Sequence, residues 1–179
     1  MKARRAAVVV VALLILVLPA LAKENRSGAG FALNRGMVDI DFPGTTDVEF
    51  AGYSLFWKYG FTDPWGLLIS YRDMDDDEDL FPGEEVNYSQ FGVHGVYMWR
   101  HGKRVRPHVK FGVANTDLEL IDPGQGAVSE DDMAFSFGGG LEAGSEKVAF
   151  YADYDFTRIE LSGVDFDVAN LALGIIFKY

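Results

Sequence analysis

The chain has 179 residues, 49% of them hydrophobic and 14% aromatic, with 20 glycines, no cysteine and a formal charge of −11. That length suits one domain, and the missing cysteine excludes disulfides, thiolate chemistry and a lipid-modified N-terminal cysteine. The acidic balance repels nucleic acid and bare anionic lipid, so neither is an expected partner.

The first element lies outside the folded domain. MKARRAAVVVVALLILVLPALA joins a basic start (Lys2, Arg4, Arg5), a 13-residue apolar run from Ala6 to Leu18, and Ala20-Leu21-Ala22. This is the three-part pattern of a secretory signal peptide, residues 1–22, cut after Ala22. A retained membrane helix competes, but it needs roughly 20 apolar residues. Cleavage leaves 23–179 as one domain with 13 basic residues against 27 acidic ones, a formal charge of −14.

Beyond Ala22 apolar side chains recur at every second position, the period of a strand with two unlike faces. GMVDIDF is the weakest segment and is read as the first strand, with Val38, Ile40 and Phe42 opposite Asp39 and Asp41. AGYSLFWKYGF sets Tyr53, Leu55, Trp57, Tyr59 and Phe61 against Gly52, Ser54, Lys58 and Gly60. GLLISYRD sets Leu67, Ile69 and Tyr71 against Ser70 and Arg72, and YSQFGVHGVYMW sets Phe91, Val93, Tyr97 and Trp99 against Gln90, Gly92 and His94. VRPHVKFGVAN and MAFSFGGGLEAG continue the pattern, with Arg106, His108, Lys110 and Glu142 on the polar face. VAFYADYDFT places Asp153 and Asp155 there too, and LALGIIFKY ends the chain with Leu171, Leu173, Ile175, Phe177 and Tyr179 on one parity.

Eight strands result. Links at 62–65, 100–103 and 145–147 are short, while those at 43–50, 73–86, 119–131 and 160–166 are read as mostly longer, acidic loops. An even number of up-and-down strands with short turns on one rim and longer loops on the other describes a transmembrane barrel. Alternation alone cannot say which face is inside, and a soluble periplasmic ligand-binding barrel would reverse it. Volume decides: eight strands enclose room for side chains or one small ligand, too little for rings from nearly every strand. The aromatics therefore face lipid, and Gly52, Gly92, Gly112, Gly138, Gly140, Ala149 and Gly174 suit a narrow lumen. Trp57, Tyr59, Tyr97, Trp99, Phe177 and Tyr179 gather at the short-turn end, where amphipathic rings favour the membrane–water boundary.

RPHVKFGVA, FGGGLEAGSEKVAFYADYDFT and the terminal GIIFKY carry a resemblance over the whole mature chain. The chain resembles the small eight-stranded outer-membrane β-barrels of Gram-negative bacteria, including the Ail/Lom-type and opacity-type surface proteins. The resemblance implies loops outside the cell, both termini in the periplasm, and a setting of outer-membrane lipid and lipopolysaccharide. It also implies insertion by the barrel-assembly machinery, with Phe177 and Tyr179 as the terminal signal. Members of the group bind host surfaces, blunt immune attack or reinforce the envelope. The modest loops here depart from the adhesive members.

Lys58, Arg72, Arg106, Lys110 and Lys178 share the inward face with Asp39, Asp41, Glu142, Asp153 and Asp155, which reads as a plug of paired charges or as an ionic pore lining. Eight strands favour the plug, because aqueous channels belong to barrels of about 16 strands. Asp73, Asp75, Asp77, Asp79 and Glu84 match EF-hand positions 1, 3, 5, 7 and 12, but Glu78 stands where the turn needs glycine and strands flank the loop. A solvated acidic loop is the plainer reading, with weak divalent-cation or surface-ligand binding as the sharper one. His94 and His108 point inward, His101 lies in a turn, and no GxSxG occurs, so no catalytic residue and no cofactor is expected. The expectation is an all-β, eight-stranded antiparallel transmembrane barrel without enzymatic activity, serving envelope structure or surface interaction. A narrow porin-like channel is second and the periplasmic carrier third.

Overall fold

The computed structural model describes residues 27–40, 48–61, 64–76, 85–99, 104–122, 126–161 and 164–179. The expected signal peptide, residues 1–22, lies outside them. Eight strands follow one another: β1 (Gly28–Ile40), β2 (Val48–Gly60), β3 (Trp65–Asp76), β4 (Glu85–Met98), β5 (Val105–Asp122), β6 (Gly126–Gly144), β7 (Val148–Leu161) and β8 (Val164–Lys178). Each pairs antiparallel with its neighbour, and β1 also pairs with β8, closing an up-and-down barrel. No edge strand remains, so every backbone ladder is satisfied without water, the condition for crossing lipid with strands.

The register defines the barrel's geometry. From Gly28 the pairing runs through Lys58, Leu68, His94, Gly112, Ser136, Thr157 and Val168 back to β1 at Val38. The return is displaced by ten residues (38 − 28), a shear of 10 that tilts eight strands by about 40–45°. Such a barrel is just wide enough to be filled by side chains.

The apolar parity faces outward. Phe135 is 81% exposed, Phe150 72% and Leu33 68%, a surface water would penalise and lipid would not. At the end carrying both termini, Trp65, Tyr97 and Trp99 pack edge-to-face, and Trp57 stacks on Tyr59.

Three expectations change. The first strand begins at Gly28, not at Gly36, and Val38 is buried inside instead of facing lipid. The glycines and alanines of GAGFALN carry little hydrophobic signal, yet their small size lets β1 lie between β2 and β8. Asp41 and the side chain of Asp39 lie outside the described residues. The outer connections are also shorter: β5 and β6 run 18 and 19 residues and leave only 123–125 between them, and β7 and β8 leave 162–163. About 9–11 residues cross a bilayer, so this hairpin continues its ladder past the lipid. Polar composition there marks exit from the membrane, not the end of pairing. Finally, the inward glycines answer backbone crowding as much as lumen width. A Cβ at Gly140 or Gly174 would lie 2.0 Å from the carbonyl oxygen of Ala152 or Phe31 on the next strand.

Candidate functional site

Inward side chains form alternating ionic and apolar layers along the lumen. At the end bearing the termini, Lys58 of β2, Glu142 of β6 and Lys178 of β8 converge. Lys58 pairs with Glu142 Oε1, and Lys178 Nζ lies 2.9 Å from Oε2, with all three side chains at most 8% exposed. Next comes an apolar cluster of Ala32, Phe56, Leu68, Val96, Ala149, Tyr151, Ala172 and Ile176. Tyr151 lies 4.4 Å, centroid to centroid, from Phe56 and stacks on His108.

The middle layer joins β3, β5, β7 and β8. Arg72 donates from one terminal nitrogen to both Asp155 oxygens at 2.8 and 2.7 Å, and Lys110 pairs with Asp153 and, at 3.4 Å, with Asp155. His108 Nε2 is 2.9 Å from Asp153 Oδ1, and Asn170 Nδ2 donates to Asp155 at 3.3 Å. Two cations face two carboxylates in this layer, with His108 beside Asp153. Beyond it, toward the outer rim, lies a second apolar cluster with Phe50, Met74, Tyr88 and Ile159 at its centre.

The structure thus brings together six of the seven residues expected as a lumen network: Lys58 with Glu142, and Arg72 and Lys110 with Asp153 and Asp155. Arg106 is the exception. Its register partner is Glu142, whose carboxylate meets Lys58 and Lys178, and among the described residues Arg106 has no ion-pair partner. Sequence reading missed Asn170 as part of the network, although its inward parity was visible. His94 is 2% exposed with neither ring nitrogen hydrogen-bonded among the described residues.

At the chain's end Trp57 Nε1 donates to Tyr179 Oη at 2.6 Å across β1, whose intervening outward residue is Ala29, and Tyr179 N donates to the Ser27 carbonyl. Phe177 is outward and 51% exposed. Asp73 and Asp75 belong to β3 and take no part in a loop; Asp73 accepts from Tyr53 Oη at 3.3 Å. Asp77, Asp79, Glu84 and His101 lie outside the described residues.

The family model described as outer membrane protein beta-barrel domain matches residues 8–177. The chain belongs to that family. Membership implies the outer membrane as its place. Among solved structures, this outer-membrane barrel superposes on Neisserial surface protein A with a TM-score of 0.74 at 11% identity, covering 86% of this chain and 97% of that one. Ail, the attachment invasion locus protein of Yersinia pestis, gives 0.60 at 18% identity, with 87% and 100% covered. OprG from Pseudomonas aeruginosa gives 0.56 at 16% identity, with 86% and 94% covered. At these identities the likeness is one of fold. No curated protein matches the chain in sequence.

Proposed function

We propose that this outer-membrane barrel is a non-enzymatic envelope component with a side-chain-filled lumen and an acidic outer surface that meets cations or surface ligands. The observation that carries the reading is the layered lumen: two apolar clusters flank a mutually paired ionic layer. An ion entering it would have to shed water against apolar side chains and displace buried pairs. The reading includes export by the 1–22 segment, both termini in the periplasm, and insertion by the barrel-assembly machinery acting on Phe177 and Tyr179.

The outer end supports an interaction with cations. One outward register row runs Tyr53, Asp73, Ser89, Asp117, Asp131, with Asp75 and Glu119 in the row above. Asp117 stands directly opposite Asp131, and a surface this rich in carboxylates suits divalent cations shared with lipopolysaccharide phosphates. Ail has been solved with the heparin analogue sucrose octasulfate; the carboxylates here disfavour such a polyanion. Two measurements test the proposal. Planar bilayers containing the refolded barrel should show no steady conductance, and a calorimetric titration should show Ca²⁺ or Mg²⁺ uptake by about 10 mM. Steady ohmic channels would favour the narrow pore instead, and a flat titration would remove the cation role.

A further inference from the structure

Among the described residues, the ionic layer nearest the termini holds more cations than carboxylates. Lys58, Lys178 and Arg106 face a single carboxylate, Glu142, leaving a formal +2 in a chain whose net charge is −11. The two lysine side chains are 8% and 3% exposed, so water screens them poorly. Uncompensated buried charge is costly, and the usual remedy is a counter-ion.

Geometry shows where one would sit. Arg106 stands directly across the β5–β6 ladder from Glu142, whose carboxylate meets both lysines, and among the described residues it makes no ion pair of its own. Arg106 is part-buried, whereas the side chains of Lys58 and Lys178 are almost wholly enclosed. A guanidinium presents a planar fork of N–H donors that fits two oxygens of one tetrahedral or planar anion. The mouth therefore offers an unused fork at the front and excess positive charge behind it.

We propose that this mouth binds a phosphate-type anion, with Arg106 as the bidentate ligand and Lys58 and Lys178 supplying the field. Free phosphate and the phosphate of a lipid headgroup at that face share the needed chemistry.

The test uses the whole mature barrel in uncharged maltoside micelles, titrated with inorganic phosphate at constant ionic strength against chloride. Amide NMR signals of 104–106, 108, 140–144 and 176–179 should shift saturably, with a dissociation constant on the order of 1 mM. Arg106→Gln should weaken binding at least tenfold, and Arg158→Gln, at the opposite rim, should leave it unchanged. Retained shift between unboiled and boiled samples on gels certifies that each variant is folded. If Arg106→Gln does not fold, Arg106→Lys replaces it and should weaken binding several-fold. Repeating the titration in phospholipid nanodiscs separates the sources. A response that persists identifies free phosphate; one already saturated without added phosphate, and absent from Arg106→Gln, identifies the lipid headgroup. Shifts that are linear in phosphate, or equal in wild type and Arg106→Gln, overturn the proposal.

Discussion

Tyr179 shows how much one terminal residue can tie together. Its ring stands at the rim, its amide reaches Ser27, and its hydroxyl accepts from Trp57 two strands away. The pair clamps β8, β1 and β2, the seam where the first and last strands close the barrel. Removing either partner's polar group by Trp57→Phe or Tyr179→Phe should cost about 1 kcal/mol, with the double variant costing little more than either single one; urea unfolding of the refolded barrel measures this. Tyr179→Ser should lower outer-membrane abundance in cells far more than that loss accounts for, and wild-type abundance would make the terminal ring dispensable for insertion. Asp155 is a harsher case. It serves Arg72, Lys110 and Asn170 while 2% exposed. Asp155→Asn strands buried cations and should cost about 3–5 kcal/mol, whereas Arg72→Met with Asp155→Leu should recover much of it. Equal destabilisation by the single and double changes would refute the buried-charge explanation.

At the scale of elements, the β5–β6 hairpin separates pairing from membrane burial. Leu118 pairs with Glu130, and four further register pairs, ending at Asp122 and Gly126, lie beyond it. Those residues extend past the length a bilayer requires, so they contribute a surface more than a wall. Replacing 119–129 by Asn-Gly, a turn that suits a two-residue hairpin, should leave urea stability within about 1 kcal/mol of wild type. A collapse of the barrel on this truncation would mean that the outer hairpin belongs to the folding core. β1 teaches the opposite lesson. Its Gly28, Ala29, Gly30 and Ala32 give almost no hydrophobic contrast, yet it closes the barrel with ladders to both β2 and β8.

For the whole molecule, closure is the source of stability. Opening any seam exposes two unpaired edges inside lipid, where each orphaned backbone group costs several kcal/mol. Unboiled protein in SDS should therefore migrate differently from boiled protein, and identical mobility would contradict a closed barrel. Charge is distributed unevenly about the same axis. Lys58, Lys178 and Arg106 lie at the mouth near the termini, while Asp73, Asp75, Asp117 and Asp131 lie at the other rim. This polarity matches a molecule that presents one face to cations and the other to anions.

Sequence alone determined the strand number, the antiparallel order and the outward aromatic face. Each follows from period-two alternation read against the small volume that eight strands enclose. It also marked which charged side chains point inward, because parity needs no coordinates. It could not pair them. Which carboxylate meets which cation depends on register and shear, properties of eight strands taken together. The ten-residue offset brings β2 and β8 lysines onto one β6 glutamate, and leaves Arg106 opposite it with no ion pair among the described residues. The start of β1 and the length of the β5–β6 ladder were likewise decided by tertiary pairing. A backbone ladder forms wherever a neighbouring strand satisfies it, whether or not its side chains carry a hydrophobic signal.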